Sequence, residues 1–176
     1  MRVSRSAGVM LKIKHARTAD VVVAGYRLHK NATAERPLLG SLLLGLYASD
    51  GQLQHVGVCA SFPEAKRAAL IDELAPWVTD FADHPWGRWQ DEEAQASGRL
   101  PGGQSRWTGT KDLSFVPLRP ERVAEVGYEH MEGDGEHGRF RHTAQFKRWR
   151  DDREPQSCGY AQLEEVLSYD LADVLQ

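Results

Sequence analysis

Residues 39–62, LGSLLLGLYASDGQLQHVGVCASF, are two β-rich runs on either side of Asp50-Gly51, and the first run carries Gly40 and Gly45 in its interior. An Asp-Gly step between two such runs is a hairpin turn. Glycines inside a strand mark a bulge or a tight bend, and small barrels need both to curl. A third run precedes the hairpin: VVVAGYRLHK, residues 21–30, is β-branched and then alternates, which predicts a strand. The chain must therefore accommodate three strands, one of them bent, before residue 63.

The period then changes. In residues 63–77, PEAKRAALIDELAPW, Ala65, Ala69, Leu70 and Leu74 fall at helical spacing behind Pro63, a residue suited to a helix start. Residues 78–106 are polar and aperiodic, which predicts a long surface loop pinned by Trp86, Trp89 and Trp107; loops of that length are often functional or mobile. Strand patterns return at 113–118 and 122–130, a turn-rich connection covers 131–138, a final strand covers 139–149, and a short acidic helix is expected from Tyr160. Three strands, a helix, then more strands suit a mainly β Greek-key barrel with a capping helix, the OB-fold.

At 176 residues the chain suits one domain, or one domain with a fragment of another. Its two cysteines, Cys59 and Cys158, form no C-x-x-C pair, so no disulfide framework is expected and the compartment reads as cytoplasmic. Cys59 is expected to be a core thiol. The seven histidines and the cysteines have no zinc spacing, so no metal site is expected. No apolar run reaches the roughly 18 residues of a membrane span. Arg2 and Arg5 are followed by no apolar segment, so no signal peptide is expected.

The net charge of −3 hides an uneven distribution. Residues 1–30 carry Arg2, Arg5, Lys12, Lys14, Arg17, Arg27 and Lys30 against the single acid Asp20. Residues 139–153 carry Arg139, Arg141, Lys147, Arg148, Arg150 and Arg153 against Asp151 and Asp152. Two basic segments on an otherwise acidic chain predict local anion sites. Lys12 and Lys14, at i and i+2, project from one face of a strand toward one spot, as a phosphate would require. A solvated charged face is the plainer reading of either segment taken alone.

The run LKIKHARTADVVVAGYRLHK, residues 11–30, resembles the junction between the two catalytic domains of bacterial ATP-dependent DNA ligases. In that family an L-K-[VIL]-K strand, motif V, ends the adenylation domain and its lysines reach the nucleotide α-phosphate; Leu11, Lys12, Ile13 and Lys14 match it. RFRHTAQFKRWRDDREP, from residue 139, is similar to the family's motif VI region, whose core is R-x-D-[KR], matched by Arg150, Asp151, Asp152 and Arg153. The likeness runs from about residue 8 to 175. It implies an adenylation-domain remnant with a hinge over residues 1–19, the hinge near Ala16 to Asp20, and an OB domain over 20–176.

It further implies that Arg150, Asp152 and Arg153 act on departing pyrophosphate, and an acid between two arginines can orient them by hydrogen bonding. Lys12 and Lys14 would bind nucleotide. Lys30, Lys111, Arg119 and Arg141 are candidates for DNA phosphates, with ordinary surface charge as the alternative. ATP and Mg²⁺ would serve the complete enzyme, with neither held by this chain alone. The expected partners are nicked duplex DNA and an adenylation domain, upstream or supplied in trans, with the chain itself a monomer away from membranes. The family's covalent lysine lies in K-x-D-G, which these residues lack, so the chain is expected to be inactive alone. The rival readings are a stand-alone OB module for single-stranded nucleic acid, a fragment of a capping-type nucleotidyltransferase, and a docking domain without nucleic-acid binding.

Overall fold

A computed structural model of the chain describes residues 17–91, 100–101 and 114–163. Five strands form one sheet: β1 (Arg17–Leu28), β2 (Leu39–Tyr47), β3 (Leu53–Cys59), β4 (Val116–Tyr128) and, last along the chain, β7 (Gln145–Trp149). Their order is β3-β2-β1-β4-β7, with antiparallel neighbours throughout. A parallel bridge between Cys59 and Ala144 joins the two edges, and the Ala144 N–H donates to the Val58 carbonyl at 2.8 Å. The sheet is thus closed into a barrel, with the helix α1 (Glu64–Leu74) carrying the chain from β3 to β4. This is the OB-fold arrangement. The short hairpin β5 (Met131–Glu132) and β6 (Arg139–Phe140) stands outside the main sheet.

Closure depends on bulges, and both sequence glycines sit at them. In the β1–β2 register Arg27 faces Ser41 and Leu28 faces Leu39, which leaves Gly40 as the extra residue. A Cβ on Gly40 would lie 2.8 Å from the Leu28 carbonyl oxygen. In the β2–β3 register Gly45 faces His55 while Leu44 faces Gly57, so Val56 is extra. The turn between β2 and β3 places Gly51 at φ +83, with the Gln52 N–H held by Asp50 Oδ1 at 3.0 Å.

The two strands expected at 113–118 and 122–130 are one strand, β4. Its register against β1 passes from Val23–Arg122 to Gly25–Pro117, so Leu118 to Glu121 bulge out opposite Ala24 alone. The turn-like Arg119-Pro120 step that suggested two strands lies in this bulge. His84 takes up the carbonyls thereby freed: its Nε2–H reaches Ala24 O at 2.7 Å and Leu118 O at 3.0 Å, while Nδ1 accepts the Trp86 N–H at 3.0 Å. These partners fix the ring as the neutral Nε2–H tautomer, and burial lowers its pKa.

The core runs through Val21, Val22, Val23, Leu42, Leu43, Leu44, Leu46, Leu70 and Leu74, all at most 1% exposed. Trp86 lies outside the sheet yet is fully buried, and its indole N–H donates to Leu53 O at 2.9 Å. It anchors the aperiodic segment as expected; Trp107 is outside the described residues. Cys59 is a buried free thiol whose pKa burial pushes up to about 12. The final strand expected over 139–149 divides into β6 and β7. After β7 the chain folds back onto β2, where the Tyr47 N–H donates to Cys158 O at 2.8 Å. Residues 161–163 are helical, at the start of the acidic helix expected from Tyr160.

Candidate functional site

Arg150 follows β7 directly, and its N–H donates to Val123 O on β4 at 2.7 Å. β7 ends at Trp149, and the turn that follows brings the arginines to Asp20 of β1. Arg153 follows within the same turn, its N–H on Arg150 O at 3.3 Å. Both guanidinium groups meet Asp20 of β1: Arg153 Nη1 at 2.6 Å and Arg150 Nη1 at 3.3 Å, both to Oδ2. The Asp20 side chain is 10% exposed, the arginines 30% and 22%.

Each partner is held elsewhere as well. Arg150 forms a two-point pair with Asp152, Nε to Oδ1 at 3.0 Å and Nη2 to Oδ2 at 3.2 Å. This pairing raises the Arg150 pKa and lowers that of Asp152. Arg153 donates from Nε to Ser157 Oγ and from Nη2 to Ser157 O, both at 2.9 Å. Asp20 lies before the start of the β1–β2 pairing at Val22, so β2 does not serve its edge. The Gln162 side-chain amide does: it donates to Asp20 O and accepts from the Asp20 N–H, both at 3.0 Å.

The expectation that the acid within the motif orients both arginines is therefore corrected. Asp152 pairs with Arg150, and the carboxylate shared by Arg150 and Arg153 is Asp20, 130 and 133 residues away in sequence. Glu125 faces Asp20 across β1–β4 and pairs with Arg148 of β7 at 2.6 Å. A cleft of about 430 Å³ opens beside the arginines, lined in part by Glu73, Trp77, Arg122 and Asp151. Its walls carry the guanidinium groups of Arg122, Arg150 and Arg153, which suit phosphate oxygens, beside the carboxylates of Glu73, Glu121 and Asp151. Among the described residues no group of three or more His, Cys, Asp or Glu side chains could hold a metal ion.

The other candidates are scattered. Lys30 is exposed in the turn after β1. Arg119 sits in the β4 bulge, with Nη2 on Pro76 O at 3.0 Å and Nε 3.4 Å from Glu121. Arg141 is exposed before β7 and lines a separate groove of about 250 Å³ with His55, Arg139 and His142. Lys12, Lys14 and Lys111 lie outside the described residues, and residues 17–20 of the expected hinge belong to β1. Asp20 was invisible as a site residue in the sequence; its being the sole acid of a basic segment was the one signal available. No helix among the described residues is long and apolar enough to cross a membrane.

Residues 35–153 match the family described as the ATP dependent DNA ligase C terminal region. The chain is 58% identical over 167 residues to DNA ligase C of Mycobacterium tuberculosis, covering 95% of this chain and 44% of that protein. It thus spans less than half the length of that relative. Among solved structures, the ligase domain of M. tuberculosis LigD matches with a TM-score of 0.55 and 26% identity, over 82% of this chain and 38% of that one. A mycobacterial DNA ligase D complexed with ATP and MES matches with a TM-score of 0.54 and 25% identity, over 84% of this chain and 38% of that one.

Proposed function

The chain belongs to the family of ATP-dependent DNA ligase C-terminal regions, and on that premise we propose that it completes the adenylation centre of a ligase through Arg150 and Arg153 and then binds nicked duplex DNA. The observation that carries this reading is the convergence of Arg150 and Arg153 on Asp20 beside an open cleft. When an adenylation domain transfers AMP from ATP to its lysine, the bond from the α-phosphorus to the bridging oxygen breaks. The departing pyrophosphate gathers negative charge. Preorganised cations placed where that charge develops are the largest electrostatic aid to such a step. Asp20 and Ser157 hold the two guanidinium groups before the nucleotide arrives, so little reorganisation is needed. The described residues suit the phosphates and not the metal, so Mg²⁺ would arrive with the nucleotide and the other domain's acids. A ligase D of this fold is complexed with ATP, which supports assigning ATP as the substrate.

DNA contact belongs to a different surface. Arg141 lines its groove before β7, and Arg150 follows β7 at the other end. One end can face nucleotide and the other DNA if the domain swings about the segment before β1. The test joins this chain to a matching adenylation domain. Arg150→Ala should slow formation of protein–AMP, with much less effect on sealing a nick that already carries AMP. Equal loss in both steps would make the cluster a DNA-binding or folding element. No loss in either would leave it a surface ion cluster.

A further inference from the structure

Resting on that reading of Arg150, we propose that Arg122 is a positioning residue that sets the orientation of Arg150 and ties it to α1. Arg122 lies on β4 with its side chain only 11% exposed. Its guanidinium carbon stands 3.8 Å from the ring centroid of Trp149 and 4.9 Å from that of Trp77. It also reaches two acids, Glu73 of α1 at 3.2 Å and Asp151 at 3.4 Å. Trp149 and Asp151 are the two chain neighbours of Arg150. One side chain therefore grips the motif on both sides of the residue that faces the cleft, while the adjacent Val123 carbonyl holds the Arg150 N–H at 2.7 Å.

Through Glu73 and Trp77 the same side chain ties that grip to the C-terminal end of α1. Arginine is needed for this. A planar, always-charged group can lie over indole rings and present two separate edges to two carboxylates. A lysine keeps the charge and the apolar stem but offers one compact ammonium and no flat face.

The experiment is a double-mutant cycle on protein–AMP formation, in this chain joined to a matching adenylation domain. Arg122→Lys should slow AMP transfer at saturating ATP by about ten- to a hundredfold, the scale expected when a catalytic group is misplaced by about 1 Å. In the Arg150→Ala background the same change should have almost no further effect, because the group it positions is gone. Asp151→Asn supplies a second variant; its side chain is 83% exposed, so folding tolerates it. It should give a smaller slowing, also silenced by Arg150→Ala. Equal slowing by Arg122→Lys with and without Arg150 would overturn the inference, since a merely structural role predicts that. Full activity of both single variants would overturn it too. Arg150→Ala alone reports on the parent reading: if it slows adenylation while the cycle is additive, only the role of Arg122 fails.

Discussion

Asp20 and Arg153 lie 2.6 Å apart although 133 residues separate them, and this pair fastens the last turn of the motif to the first strand of the barrel. Asp20 stands near the beginning of β1, so the contact also brings the cluster close to the point where β1 leaves the preceding residues. Any movement of the barrel against an upstream domain would carry the arginines with it as one body.

Asp20→Asn tests that fastening. Asparagine keeps the backbone bonds to Gln162 and the size of the side chain, but removes the charge shared by Arg150 and Arg153. The chain should lose about 1–3 kcal/mol of stability, the scale for a group left without its partner in a mostly buried place. The urea midpoint should fall with no change in slope. In the joined enzyme, AMP transfer should slow as the two guanidinium groups lose their common anchor. An unchanged midpoint and an unchanged rate would remove Asp20 from the site.

His84 makes stability depend on pH. Its folded pKa lies below the ordinary 6.5 because burial disfavours the charged ring. Below pH 6.5 the unfolded chain takes up a proton that the folded chain refuses, so the unfolded state binds more protons and stability rises with pH. The contribution is complete above 6.5 and is lost as pH falls toward the folded value. Each such histidine adds a slope of up to about 1.4 kcal/mol per pH unit inside that window. His55 adds a second, with its pKa lowered to about 3 by burial and then by Arg27 and Arg139. Urea unfolding at pH 7.5, 6 and 5 should therefore show a steady loss. His84→Gln should be less stable at pH 7.5, because the Ala24 and Leu118 carbonyls lose their ring donor, and should show a flatter pH dependence. A parallel loss in wild type and variant would mean that His84 titrates normally in the fold.

The barrel was legible because its bends need glycine and its helix needs a different period. Gly40 and Gly45 announced bulges, and Pro63 announced the helix that begins at Glu64. The break within β4 misled for a physical reason. Pro120 and its charged neighbours read as a turn, yet the strand continues past them because Ala24 and His84 accept a four-residue bulge. The arginines of the site were legible as a motif, but their anchor was not. A carboxylate bridging to residues 130 positions away leaves no local pattern, and nothing in the spacing of Asp20 distinguishes it from a surface acid. Arg122 was hidden likewise, since its rings and acids come from α1, from the residues just after it and from the end of β7.

Binding to duplex DNA should be weak and sensitive to salt. The net charge of −3 limits affinity to the non-specific range of about 10⁻⁴–10⁻⁶ M. Arg141→Ala, at the rim of the groove before β7, should weaken binding and lower the log–log salt slope by about 1, the share of one phosphate contact. Fluorescence anisotropy of nicked and intact duplexes at two salt concentrations measures both. Binding indifferent to salt, or stronger on single strands than on duplex, would favour a stand-alone single-strand module.

The chain by itself should take no label from ATP. Covalent transfer needs a nucleophilic lysine whose amine is neutral when the α-phosphate is presented. An ordinary exposed lysine, with a pKa near 10.4, is neutral in roughly one molecule in a thousand at neutral pH. A ligase lysine escapes this through an environment that lowers its pKa and fixes its line of attack. No lysine of these residues begins a K-x-D-G; Lys30 is followed by Asn-Ala-Thr and Lys111 by Asp-Leu-Ser. Incubation with labelled ATP and Mg²⁺, followed by acid and gel separation, should therefore leave this chain unlabelled. Adding a matching adenylation domain that lacks its own C-terminal region should place the label on that domain alone. It should do so faster than in the absence of this chain, since Arg150 and Arg153 then meet the leaving pyrophosphate. Label on this chain near one mole per mole would mean that it carries its own nucleophile. Label on the partner at an unchanged rate would mean that the arginines play no part in the transfer.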